Sequence, residues 1–279
     1  ARAADLIRHS GTLIVYESAA AFASSRREWE MRRERGVEFR ALDAAQIRDI
    51  EPALSARYVN GVLLPTHGYV IDPFRLVTSL ASQFAKDGGE IKTADVRRLV
   101  PRSGAGIAIE CDGATIDADR VVIAAGAWSN RLLASLGVSL PLETQRGYHV
   151  TLSGPMVEPR LPVTAAEHKY YSTPMLGGLR IAGTVEFAGL DAPPDYRRAR
   201  RLLEQGRQMY PALDTAHFTE WMGHRPCLPD SLPVIGPLPR SGWKMFASPM
   251  AQGAVASACW SHAIVQACSR QSWPSMFWR

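Results

Sequence analysis

The chain has 279 residues, 46% hydrophobic and 21% charged, and a formal net charge of +5. That length can bury a substantial core in one large domain or two interleaved ones, and the composition is ordinary for a soluble globular protein. No apolar run reaches the roughly 20 residues a membrane span needs, and the arginines are scattered along helical segments, so nucleic acid is not expected as a partner.

Residues 1–8 read as the end of a helix, and nothing at the amino end resembles a signal peptide. Gly11 to Glu17 is predicted as a short apolar strand, and Ala19 to Arg35 carries helical spacing that Gly36 ends. Asp43 starts a short helix toward Ile50, Glu51-Pro52 breaks it, and Val59 to Pro65 is a strand. Asp72 is a good N-cap with Pro73 at the first helical position, opening a helix through Lys86 that Gly88-Gly89 stops. Ile91 to Leu99, Gly106 to Cys111 and Ala114 to Ile116 alternate as strands, with Asp112-Gly113 as the hairpin turn.

The segment that follows, Asp119 to Asn130, holds a buried strand, VVIAA, then Gly126 and a helix-start signal at Ser129 or Asn130. Ligands of open α/β sheets gather at such carboxyl ends of strands, where a glycine lets a cofactor approach the main chain; many strand-Gly-helix junctions nevertheless hold no ligand. Further on, Tyr148 to Leu152, Tyr170 to Pro174 and Leu179 to Glu186 suggest an antiparallel sheet, and Pro194 to Tyr210 a basic helix.

The most informative stretch is GHRPCLPDSLPVIGP, Gly223 to Pro237, whose prolines at 226, 229 and 233 exclude ordinary helix and predict a stiff turn leading into a short strand. Arg225 in that segment offers a planar fork of donors matched to a carboxylate, which makes it a candidate anchor for an acidic substrate; the alternative is a solvated arginine beside a turn. The cysteines at 111, 227, 259 and 268 have no CxxC spacing, so neither a zinc site nor a dithiol motif is indicated, and no metal is expected. Free thiols suit a reducing compartment, hence a cytoplasmic location.

Three segments in order, VVIAAGAWS, QRGYHV (Gln145 to Val150) and GHRPCLPDSLPVIGP, together with residues 68–99, resemble the flavin-dependent amine oxidoreductases of the D-amino-acid oxidase and glycine oxidase family, the bacterial D-amino acid dehydrogenases above all. The resemblance runs from near the start to about Trp243. It implies an α/β fold in which an incomplete FAD-binding Rossmann-like domain (residues 68–133 and 223–279) is interleaved with an antiparallel-sheet α+β substrate domain (residues 1–67 and 134–222). It implies FAD as cofactor and oxidation of a D-amino acid or related amine acid to an imino acid. By the same resemblance Arg225 grips the substrate carboxylate, Ala125, Gly126 and Trp128 approach the FAD, and the strand holding Val96 passes the adenine.

Tyr148 and Tyr171 are candidate phenolic hydrogen-bond partners of the substrate, with a half-buried sheet tyrosine as the alternative for each. His149 and His224 are read as packing or pocket-shaping residues rather than bases. Arg146 either contacts substrate or pairs with a carboxylate such as Glu143. No residue of the chain is assigned as catalytic, because the flavin carries the redox step.

Two departures from the family pattern bear on activity. There is no GxGxxG, the turn that seats a pyrophosphate on a helix N-terminus, so the first βαβ unit is expected to be missing. Beyond about Phe246 the composition shifts, with Trp260, Phe277, Trp273 and Trp278 crowding the tail, as a change of translation frame would produce. Three readings therefore stand: a truncated or inactive flavin amine dehydrogenase, a sarcosine- or hydroxyproline-type oxidoreductase subunit working beside a partner subunit, and a non-catalytic interaction module. The expected partners are a small-molecule amino acid and an electron acceptor at the inner face of a membrane, where peripheral attachment is the alternative to a free cytoplasmic protein.

Overall fold

The computed structural model describes residues 3–103 and 106–238, and the backbone of the strands Lys244–Ala247 and Ile264–Cys268. The rest of the aromatic tail named above lies outside the described residues. The architecture is mixed α/β, dominated by one eight-stranded sheet. Its strands run in the spatial order Phe218–Cys227, Glu143–Leu152, Gly178–Glu186, Tyr170–Met175, Val163–Ala165, Thr12–Tyr16, Asn60–Leu64 and Arg40–Asp43. All neighbours are antiparallel except Val163–Ala165 beside Thr12–Tyr16, so the sheet as a whole is mixed, while the three strands for which the sequence suggested antiparallel pairing, around Tyr148, Tyr170 and Leu179, do pair so.

The helix Arg197–Met209 covers one side of this sheet and buries Ala199, Leu202 and Met209 in a core with Tyr148, Val150, Ile181 and Tyr170. Those positions recur at helical spacing, and the arginines between them remain toward water. A second core forms around the strand Arg120–Ala124, where Val121, Ile123, Leu132, Leu133, Leu99 and Ile107 pack together. Its strand pairs in parallel with Lys244–Ala247 on one side and antiparallel with Ile264–Cys268 on the other. A three-stranded antiparallel sheet, Val96–Pro101, Ile107–Cys111 and Ala114–Ala118, lies against it, with a tight turn at Asp112-Gly113.

Local signals placed most elements. Asp43 caps the helix Ala44–Ile50 with a reciprocal box through Gln46, and Asp72 caps Pro73–Lys86 through the Arg75 amide. Four expectations need correction. The helix expected over residues 19–35 is two helices, Ala19–Ser24 and Arg26–Glu34, broken at Ser25, whose hydroxyl turns back to the Phe22 carbonyl instead. The strand expected from Ile91 begins at Val96, because its partner ends at Cys111 and offers no rung beyond that pair. The strand expected at Tyr148 begins at Glu143, extended by a full ladder with Phe218–Cys227. And Arg225 lies in a strand, not in a proline-stiffened turn: Phe218–Cys227 is the edge strand of the large sheet, so the amide that Pro226 lacks is not needed by a second neighbour.

Candidate functional site

The edge strand and its neighbour Glu143–Leu152 set the site by register. Gln145 faces Arg225, Gly147 faces Gly223, and His149 faces Trp221 across the ladder. Directly opposed residues share a face and alternate residues return to it, so Arg225, Gly223, Trp221, Gln145, Gly147 and His149 all project to one side. The next rungs carry this face onward, from His149 to Ala182 and from Ala182 to Tyr171. Arg225, Trp221, Ala182 and Tyr171 are half-buried there, on the side away from the helix Arg197–Met209.

The two opposed glycines explain how large side chains lie flat on this face. The Arg225 guanidinium rests across Gly147, where any Cβ would collide with Nη2, Cζ and Nε. The Trp221 indole rests across Gly223, where a Cβ would collide with the six-membered ring. Burial pushes the Arg225 pKa down, Cys227 and Tyr171 oppose that, and an arginine stays charged under such a shift. Among the described residues no carboxylate comes within ion-pair distance of Arg225. A half-buried cation without an anionic partner is costly, which is why such a group in a protein points to a ligand.

Beneath the indole lies His149, stacked on Trp221 with ring centroids 4.7 Å apart and an interplanar angle of 22°. His149 is 6% exposed, and burial, with a lesser contribution from Arg180, lowers its pKa to about 3, so the imidazole is neutral near pH 7. Its Nδ1 is buried with no hydrogen-bond partner.

The opposite face of the same two strands is structural. Arg146 is fully buried, its Nε 3.3 Å from Glu186 Oε2 and its Nη2 donating to the Pro193 carbonyl at 2.8 Å. The partner is thus Glu186 rather than Glu143, because a bulge between Gly147 and Tyr148 brings Glu186 opposite Arg146. Tyr148 is 1% exposed on this face, donates to Glu186 Oε2 at 2.5 Å and accepts from the Asp195 amide at 3.0 Å. Both functions of its hydroxyl are spent inside the fold, and it does not share a face with Arg225. Tyr171 does, and its charge coupling to Arg225 reflects their proximity.

The other sequence-predicted residues surround the carboxyl end of Arg120–Ala124. Ala125 is buried, and Gly126 adopts φ +54 at the start of the tight turn Gly126–Trp128, with open space where a Cβ would stand. Trp128 meets His224 edge to face at 5.0 Å, so the turn joins the edge strand one residue from Arg225. His224 itself contacts Thr144 Oγ1 at 2.9 Å through Nδ1, and burial lowers its pKa, in keeping with a packing role. The next helix, Ser129–Ala134, opens on Ser129, whose hydroxyl is fully buried and has no partner. Val96 packs on the second core, at the first rung of the three-stranded sheet.

Sequence reasoning missed Gly147, Gly223 and Trp221 as site residues. The signal was the two-residue spacing Trp221, Gly223, Arg225, which becomes a shared face only once the segment is known to be a strand.

A family profile described as FAD dependent oxidoreductase (DAO) matches residues 2–267. The chain is 36% identical over 236 residues to a D-amino-acid oxidase of Bradyrhizobium diazoefficiens, covering 83% of this chain and 56% of that protein. It is 32% identical over 244 residues to a D-amino acid dehydrogenase of Cereibacter sphaeroides, covering 84% and 55%. Among solved structures, glycine oxidase from Geobacillus kaustophilus superposes with a TM-score of 0.77 at 24% identity, over 87% of this chain and 66% of that one. The chain therefore spans about half the length of the curated relatives it matches.

Proposed function

We propose, from the premise that this chain belongs to the FAD-dependent oxidoreductase family DAO, that it carries the substrate-binding sheet and part of the cofactor-binding portion of an enzyme oxidising a D-amino acid, or a related amine acid, to an imino acid. The observation that carries the reading is Arg225: a half-buried guanidinium laid over Gly147, with no carboxylate beside it among the described residues.

Two features fit FAD on this chain. Gly126 leaves its Cα side open at the end of the Arg120–Ala124 strand, and the buried Ser129 hydroxyl next to it lacks a partner. Ala125, Gly126 and Trp128 would hold the cofactor there, with Val96 on the neighbouring sheet as the further contact. When bound, the flavin supplies the acceptor for the hydride that leaves the substrate Cα.

The chain's own residues bind and orient. Arg225 fixes the substrate carboxylate by paired charge-assisted hydrogen bonds, which converts binding into proximity at Cα. Tyr171, on the same face, adds a phenolic hydrogen bond. Tyr148 is left out of the site because Glu186 and Asp195 occupy its hydroxyl. In this reading residues 1–67 and 134–222 form the substrate portion, and residues 68–133 and 223–279 contribute to the cofactor portion.

Among the described residues no helix is long and apolar enough to cross a membrane. We extend the proposal to a cytoplasmic protein that meets its electron acceptor at the inner face of a membrane, supported by Cys111 and Cys227 standing as free thiols.

The test is to load the full chain with FAD, pass it through gel filtration, and add a panel of D-amino acids without oxygen. Retained flavin absorbance that bleaches with an amino acid, and an Arg225→Met variant that keeps flavin but does not bleach, is the expected result. Bleaching at the same substrate concentrations in the variant overturns the role of Arg225.

A further inference from the structure

The carboxylate anchor is one of two large groups seated on the Gly147–Gly223 pair, and the second has a specificity of its own. Trp221 and Arg225 flank Gly223 on one strand, two residues to either side of it. The indole folds back over Gly223 and the guanidinium crosses to Gly147, its register partner. The two side chains therefore converge over a single rung of the ladder. A group held by its carboxylate at Arg225 has the indole within reach of whatever its Cα carries.

The neighbours of that indole on this face are a neutral ring, a small apolar side chain and, further along, Arg180. His149 supports it from below as a neutral ring. Ala182, next along the face, adds a small apolar surface. Arg180 lies two residues from Ala182 on the same strand and face, where its charge contributes to the lowering of the His149 pKa. Val185 lies opposite Gly147 and is 40% exposed, so a further apolar side chain borders the guanidinium. Among the described residues no carboxylate stands by Arg225 to bind a cationic group of the ligand.

We propose that Trp221, seated against Gly223 and backed by His149, is the specificity-determining residue of this site and selects amino acids with aromatic or large apolar side chains over glycine. The inference rests on the reading of Arg225 as the carboxylate anchor. A half-buried indole gains from stacking and apolar burial with such a side chain and gains little from a hydrogen atom.

The experiment separates the two claims with two simple acids, acetate and phenylacetate, titrated into the full chain and followed by NMR or calorimetry. Phenylacetate is expected to bind roughly fivefold or more tightly than acetate. Trp221→Ala should bring phenylacetate to within about twofold of acetate while acetate binding stays as it was, and Trp221→Phe should restore most of the preference. Gly223→Ala, which lifts the ring without removing it, should also lose the preference, and circular dichroism reports whether each variant folds. Equal binding of acetate and phenylacetate by the unaltered chain, or a preference that survives in a folded Trp221→Ala, overturns the inference while leaving the anchor standing. Failure of the chain to bind either acid, or undiminished acetate binding in Arg225→Met, overturns the anchor and the inference with it.

Discussion

Arg225 and Arg146 sit on adjacent rungs of one two-stranded ladder and point to opposite faces of it. Arg146 is sealed in the core with Glu186 and the Pro193 carbonyl, whereas Arg225 lies half-buried across Gly147 with no carboxylate near it among the described residues. The same side chain therefore serves stability at one position and, in the function proposed, recognition at the next.

Substitution should separate these roles. Arg146→Met removes one of the two guanidinium groups beside Glu186, Arg198 remaining at 3.4 Å, together with the hydrogen bond to the Pro193 carbonyl, and is expected to cost about 2–3 kcal/mol. Arg225→Met removes a cation that the fold does not pair, so stability should change by less than about 1 kcal/mol while affinity for a small carboxylate falls by at least roughly tenfold. Urea denaturation midpoints and acetate titration of both variants check this; equal stability losses would contradict it.

Gly147→Ala tests the seat rather than the anchor. The new methyl occupies the place of the guanidinium, so Arg225 must lift away or the strands must part. Overpacking of this kind costs about 1–3 kcal/mol, and carboxylate affinity should drop although Arg225 is still present. A variant with unchanged acetate binding would show that the guanidinium does not need this position.

The two tyrosines are expected to behave oppositely. Tyr148→Phe deletes a hydroxyl that bridges Glu186 and the Asp195 amide, and should lower stability by about 1–2 kcal/mol with carboxylate binding intact. Tyr171→Phe should leave stability nearly unchanged and weaken substrate binding in the FAD-loaded chain. Thermal melts alongside substrate titrations distinguish the pair, and a binding defect in folded Tyr148→Phe would return that residue to the site.

Acid should destabilise the protein through His149. Its folded-state pKa is about 3 against an ordinary 6.5, so between those values the unfolded chain binds the extra proton and stability is lost as pH falls. By pH 4.5 the contribution is about 2–3 kcal/mol. His149→Phe, which keeps a ring under Trp221, should lose correspondingly less stability between pH 7 and pH 4.5, measured as the shift in urea midpoint. Identical pH dependence in the two proteins would refute the assignment.

The sequence by itself determined whatever depends on neighbours along the chain. Asp43 and Asp72 announced their helices because an N-cap bonds amides two or three residues on. The apolar run before Gly126 announced a buried strand with a tight turn, and the three motifs together carried the family resemblance. Pro226 misled, since its effect on a strand depends on whether that strand has one neighbour or two.

Only the tertiary structure decided which residues share a face. Tyr148 and Tyr171 look alike in sequence, but the pairing of Glu143–Leu152 with Phe218–Cys227 and Gly178–Glu186, bulge included, turns one inward beneath the sheet and leaves the other beside Arg225. The same register sets Gly147 opposite Gly223, 76 positions away in the chain. Strand register is fixed by side-chain packing between distant segments, and one residue of slip would exchange the two faces.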